Sequence, residues 1–202
     1  MSNSYTVLWS RAQIQLFKKY NPPGTRLEVM FGGPHIPEPS FRRFGVRAGD
    51  FIYPLWVYKG VVYALGRMRV KRLIALEEYF EQYPELFAGC EPGAYPMATF
   101  ENYLKIYPEK RFLAPTCTDE VAIGEEGTLI RLNLAIPPDL LERLRFRSRR
   151  GERGLKHIED GKLRHTISLQ GGVYRLHEES AQEMELLVHE GLARTGELPS
   201  GR

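Results

Sequence analysis

Cysteine is almost missing from this chain of 202 residues. Cys90 and Cys117 are the only two, and neither belongs to a C-x-x-C pair or has a His-x-x-His cluster nearby. That excludes the paired-ligand spacing of a structural zinc site, and two isolated thiols suit a reduced, cytoplasmic protein. No apolar run approaches the ~18 residues that a bilayer span needs. The first residues, MSNSYTVLWSRAQ, have neither the basic start nor the apolar core of a signal peptide. Also missing are G-x-x-x-x-G-K-[ST], G-x-G-x-x-G and H-E-x-x-H, the spacings that cradle phosphates, dinucleotides and catalytic zinc. His35, His157, His165, His177 and His189 fall in no catalytic motif, and Cys117, inside PTCTDE (115–120), has no neighbouring group to activate it. No catalytic residue, metal ligand or cofactor is therefore expected, and the chain is more in keeping with a binding protein than with an enzyme.

What the chain does have is a core and an uneven charge. A content of 43% hydrophobic and 11% aromatic residues suffices for a globular fold, and the length suits one domain. The net charge of +3 hides strong segregation. Residues 1–72 carry 12 Lys/Arg against 3 Asp/Glu, residues 73–139 carry 4 against 12, and residues 140–156 carry 7 against 2. Two positive segments meeting in space make a surface for a polyanion. Alternatively, opposite blocks pair with each other inside the fold.

The patterning predicts an α+β chain. SYTVLW (4–9) is a first strand, and Ser10 with Gln13 forms a capping box for a helix with Ile14 and Phe17 inward, stopped by Asn21-Pro22-Pro23-Gly24. RLEVMF (26–31) alternates as a strand and GGPHIPEP (32–39) is a loop. Residues 51–58 and 61–70 are strands of a hairpin over Lys59-Gly60. Leu73, Leu76, Phe80 and Tyr83 give a helix over 73–87; 88–98 is loop, and Thr99 caps a short helix. TLIRLNLAI (128–136) alternates as a strand. Asp139 and Glu142 cap a short helix, LLERLRF. Residues 155–169 form a hairpin over Asp160-Gly161, VYRL (173–176) is extended, and 178–190 is an amphipathic helix stopped by Gly191. Residues 1–193 are thus expected to be a single domain with a C-terminal hairpin and helix, and 194–202 a flexible tail.

The stretch VRAGDFIYPLWVYKGVVYALGRMRVKRL (46–73) is apolar on both sides of its turn and basic at its exit. Side chains alternate across a strand, so apolar residues at every position mean that both faces are covered, as in the central strands of a small closed or partly closed barrel. Together with the strand ending in Trp9-Ser10 and the Gly-Asp turn of FGVRAGDFIY (44–53), this stretch resembles the PUA-like superfamily, in particular its EVE and ASCH branches, over residues 4–72. The resemblance implies a pseudo-barrel of five to six strands with flanking helices that binds nucleic acid, RNA or DNA, often through a modified base. It places Trp9, Ser10, Tyr53 and Trp56 in an aromatic-lined base pocket, where rings stack on a base and polar groups bond its edge. Alternation sends Tyr53 opposite to Trp56, so only one of the two lines a given cavity. Equally open at this stage are a core role for Trp9 and Trp56 and a purely capping role for Ser10. GLKHIEDG supplies Gly154, Lys156 and Glu159 of the ASCH motif G-x-K-x-x-E-x-R, with Gly161 in place of its Arg. An ASCH-like nuclease or nucleoside amidohydrolase using Lys156 and Glu159 is the enzymatic alternative; a protein–protein interaction module is another.

Two groups of cations are candidate phosphate ligands. Arg67, Arg69 and Lys71 share one face of an ideal strand. RLRFRSRRGERGLK (143–156) carries Arg145, Arg147, Arg149, Arg150 and Arg153 among its seven cations. Six of the seven are Arg, whose planar, bidentate donors suit phosphate, with Phe146 as a stacking residue and Gly151 and Gly154 adding flexibility. No companion apolar face makes this a membrane-binding segment.

Overall fold

The computed structural model describes residues 2–20, 24–33, 40–82, 119–170 and 172–193. β1 (Ser4–Leu8) leads into α1 (Arg11–Tyr20), and the capping box closes in both directions. The Ser10 N–H donates to Gln13 Oε1 at 2.6 Å and the Gln13 N–H to Ser10 Oγ at 3.2 Å. Two N–H groups that the helix cannot satisfy are thereby paired.

β3 (Phe51–Tyr58) runs parallel to β1, with Ser4 opposite Phe51 and Leu8 opposite Leu55. The Gly-Asp turn is what sets this register. Asp50, almost fully buried, accepts the Asn3 N–H and the Arg47 N–H, each at 2.8 Å, and so ties the start of β3 to the start of β1. Gly49 beside it takes φ +89°, which glycine adopts without strain.

The expected second hairpin strand is split. β4 (Val61–Ala64) pairs with the end of β3 and β5 (Met68–Ala75) with its start, the interruption lying opposite Pro54. Gly66 sits in that interruption at φ +147°, where a Cβ would stand 2.6 Å from Thr128 Oγ1. β5 continues to Ala75 because Leu73 and Ile74 pair with Ala122 and Val121, so the helix expected from Leu73 starts only at Leu76, as α2 (Leu76–Gln82). Their partner, β6 (Glu120–Glu125), was not anticipated; it also pairs with β2 (Val29–Gly32).

Residues 128–136, expected as a strand, are extended without forming one. They run beside β4 through bonds such as Ala64 N–H to the Leu134 carbonyl and Ile136 N–H to the Val62 carbonyl. α3 (Pro138–Arg143) opens on Pro138 with no side-chain cap; Asp139 instead holds Arg143 one turn on, at 2.9 Å, so the expected Asp139/Glu142 pair does not form. Two hairpins follow: β7 (Arg145–Ser148) with β8 (Gly151–Gly154), and β9 (Ile158–Glu159) with β10 (Lys162–Leu163). The second turns through Asp160 at φ 51° and Gly161 at φ 68°, the two positive φ values a tight two-residue hairpin demands. β11 (Val173–Arg175) pairs antiparallel with β1, and α4 (Glu178–Ala193) passes through Gly191 instead of stopping there.

The result is a mixed α+β protein with a seven-stranded sheet, ordered β11-β1-β3-β5-β6-β2 with β4 on β3, and a C-terminal helix. β11 and β2 are the ends of that order, so the expected barrel does not close among the described residues. Both faces of the sheet are covered, as the doubly apolar strands required. Ile52 and Trp56 pack with Trp9, Ile14 and Phe17 under α1. Tyr53 and Leu55 pack with Leu141, Phe146, Met184 and Val188 under α3, the β7–β8 hairpin and α4. A third cluster joins Phe31, Ile74 and Val121 to Tyr79 of α2. No helix of the described residues is long and apolar enough to cross a membrane. The expected loop at 34–39, the end of the first helix at 21–23, the segment 83–118 with both cysteines, and the tail lie outside the described residues.

Candidate nucleic-acid interface

The arginine run is a hairpin, not the flexible interruption its glycines suggested, and the hairpin sorts its cations by position. At the root, Phe146 is fully buried and faces Arg153 across the ladder. The Arg153 guanidinium lies 4.3 Å from the centre of the Tyr174 ring and 5.5 Å from that of Phe146, and its Nη2 donates to the Ser168 carbonyl at 3.3 Å. Arg145 Nη1 donates to the carbonyls of Glu142 and Leu144 at 2.7 and 3.0 Å, capping the C-terminus of α3. The Arg145 N–H donates to Ser180 Oγ at 2.9 Å, and His177 Nε2 meets Glu152 Oε1 at 2.8 Å, so the first turn of α4 clamps both strands.

At the tip the picture reverses. Ser148 Oγ accepts the Arg150 N–H at 3.2 Å and donates to the Gly151 carbonyl at 2.7 Å, which holds the turn in one shape. The side chains of Arg147, Arg149 and Arg150 are exposed and make no hydrogen bond or ion pair with the described residues. Three exposed cations thus share one hairpin, two of them in its turn.

The other predicted cations are spent internally to differing degrees. Arg69 reaches Glu126 at 3.3 Å and Glu125 at 3.8 Å, the latter its partner in the β5–β6 register. A bulge between Val70 and Arg72 breaks the alternation, so Lys71 does not continue a common face with Arg67 and Arg69. Arg67 donates to Glu185 Oε1 on α4 and lies over the Phe51 ring, 4.8 Å from its centre. Internal pairing of opposite charges, the alternative left open by the sequence, therefore accounts for Arg67 and Arg69 and leaves the hairpin tip unaccounted for.

Beside the hairpin a cleft of about 820 Å³ opens between the sheet and α4, lined among others by Asn3, Phe51, Tyr53, Arg67, Arg147 and Glu185. Arg175 and His189 also line it. On its lining Glu185 is held from two sides, by Arg67 on Oε1 and by the Tyr53 hydroxyl, which donates to Oε2 at 2.6 Å. Burial, and after it the neighbouring Glu185 carboxylate, pushes the Tyr53 phenol well above its usual range, so it stays a donor. A smaller cavity of about 280 Å³ shares Arg67, Glu185 and His189 with the cleft and continues towards Arg26 and Thr128.

Of the four predicted pocket residues, only Tyr53 lines this cleft. Trp9 is 5% exposed and packs on Phe17, ring centres 6.1 Å apart, while Ser10 is the N-cap of α1. Trp56 is 8% exposed, stacked with Tyr58 at 5.4 Å and against Tyr63 at 5.3 Å, with Lys18 Nζ 4.8 Å from its ring centre. It lies on the sheet face opposite to Tyr53, as alternation required. Lys156, between the two hairpins, and Glu159, on β9, are exposed, Glu159 bonded to Arg164 at 3.0 Å, and they line neither the cleft nor the smaller cavity. His157 and His165 pack edge to face, ring centres 5.3 Å apart. Glu185, His189 and Arg175 went unrecognised in the sequence. The one signal available was that 182, 185, 186 and 189 recur at helical spacing on a helix known only as amphipathic. No protein-family model, no curated protein and no solved structure matches this chain.

Proposed function

We propose that this chain is a nucleic-acid-binding module of the PUA-like type, holding the backbone with the tip of the β7–β8 hairpin and accepting one unstacked or modified base in the adjoining cleft. The observation that carries this reading is that Arg147, Arg149 and Arg150 are exposed and unpaired among the described residues, while Arg147 also lines the cleft. Arginine at such a tip offers two parallel N–H donors to each phosphate without having to leave an internal carboxylate. Arg175, exposed on β11, joins Arg147 as a second exposed cation on the cleft lining. The Arg67 guanidinium, lying over the Phe51 ring, supplies a planar cation on which a base can stack.

The PUA-like assignment is supported by the Gly-Asp turn acting as a structural tie between β1 and β3, by the parallel β1–β3 pair and by helices on both sheet faces. The volume of the cleft falls within the ~300–1,000 Å³ of ordinary ligand sites. The test is fluorescence anisotropy of the protein with single- and double-stranded DNA and RNA, plain and base-modified, over a salt series. Binding whose logarithm falls linearly with log salt supports the reading. No binding at low salt overturns it.

A further inference from the structure

The cleft carries a feature that a phosphate groove does not need, a carboxylate on its lining held by two protein donors. Glu185 is about 40% exposed, and each of its oxygens already holds one protein donor, Arg67 on Oε1 and the Tyr53 hydroxyl on Oε2. A carboxylate offers about four lone-pair sites, so each oxygen keeps acceptor capacity. A carboxylate held in this way accepts and cannot donate, so it rewards a ligand edge made of N–H donors. The cations are segregated from it: Arg147 and Arg175 are exposed on β7 and β11, while Arg67 is engaged by Glu185. One cleft therefore carries a carboxylate bridged to Arg67 together with the exposed cations Arg147 and Arg175, the exposed Glu178 also lying on its lining. This suits a nucleotide with its base edge on Glu185 and its phosphate on the two arginines.

The bases differ in what they present to a carboxylate. Guanine has N1–H and the exocyclic amino group side by side, two parallel donors that match two carboxylate oxygens. Adenine and cytosine set one amino group beside a ring-nitrogen acceptor. Uracil and thymine place a single N–H between two carbonyls, and both carbonyls are repelled. Resting on the nucleic-acid reading above, we propose that the cleft between β3 and α4 takes a single guanine-type nucleotide, its donor edge on Glu185 and its phosphate on Arg147 and Arg175. Tyr53 and Arg67 act as positioning residues that hold Glu185.

The test is calorimetric or NMR titration of the full chain at low salt with the four nucleoside 5′-monophosphates of guanine, adenine, cytosine and uracil. GMP is expected to bind at least about ten-fold more tightly than UMP, the discrimination of one good bidentate base contact. Glu185→Gln, which keeps an oxygen for Tyr53 but loses the charge, brings GMP down to the affinity of UMP. Tyr53→Phe lowers the GMP preference without weakening UMP, and it serves as the second variant should Glu185→Gln not fold. Arg175→Ala weakens all four nucleotides by a similar factor. Equal affinity for the four, or a GMP preference that survives both Glu185→Gln and Tyr53→Phe, overturns the assignment. So does binding of none of them. If oligonucleotides still bind with a steep salt dependence in that case, this inference fails alone; if they do not, the nucleic-acid reading fails with it.

Discussion

The root and the tip of the β7–β8 hairpin are a few residues apart and both carry arginines, yet they use them oppositely. Arg145 and Arg153 are absorbed by the fold, one capping α3 and the other covering Tyr174 and Phe146. Arg147, Arg149 and Arg150 are held up in solvent by a turn that Ser148 stiffens. A run of like charge is therefore not one functional unit. Its members divide according to what lies within reach: carbonyls and aromatic faces at the root, only water and a ligand at the tip.

Substitutions can break this comparison at either end. The largest stability effect is expected from Phe146→Ala at the root, which empties a fully buried site among Leu141, Leu144 and Met184. Chemical denaturation should report a loss of about 3–5 kcal/mol. Arg153→Ala should cost less, about 0.5–2 kcal/mol, because it removes the cation–π contact and one hydrogen bond to the Ser168 carbonyl. Its salt slope for nucleic acid should remain that of the wild type. A root arginine whose loss flattened the slope would join the tip and dissolve the distinction.

A smaller effect concerns a charge that neither pairs fully nor reaches water. Glu120, at the start of β6, is 5% exposed, and its Oε1 has no partner among the described residues. Burial pushes its carboxyl above the usual range, against the Arg42 N–H, which donates to Oε2 at 3.2 Å. A carboxyl raised in the fold stabilises the protein below its unfolded pKa, and that contribution is lost as pH rises through the folded value. Relative to Glu120→Gln, the wild type should therefore melt closer to or above the variant in mild acid and lose ground towards neutral pH. A gap in melting temperature that does not move with pH contradicts this account.

Much of the frame was legible from local chemistry. The Ser10/Gln13 capping box, the Asp160-Gly161 turn and the Gly-Asp turn at Asp50 each depend on residues close in sequence, and each appears where the pattern placed it. What was misplaced depends on distant partners. Leu73 shares helical spacing with Leu76, but pairing with Ala122, Val121 and Glu120 keeps Leu73, Ile74 and Ala75 in β5. Residues 128–136 alternate like a strand, yet they lie beside β4 and form only isolated bridges. The candidate site was half legible. The arginine run stood out by composition, but which of its arginines stay unpaired is decided in part by Ser168 and Tyr174, which reach Arg153 from a distant part of the chain. Glu185 itself looked like one more charge on the face of an amphipathic helix.

The most direct measurement is the salt dependence of oligonucleotide binding for the triple variant Arg147→Ala, Arg149→Ala, Arg150→Ala against the wild type, with stability followed alongside. Exposed positions of this kind should leave stability within about 0.5 kcal/mol. The slope of log affinity on log salt should flatten by about 2 to 3, some 0.7–0.9 for each phosphate contact removed. An unchanged slope in a folded variant would contradict the account, because the three arginines that the fold leaves unpaired would then contact no phosphate.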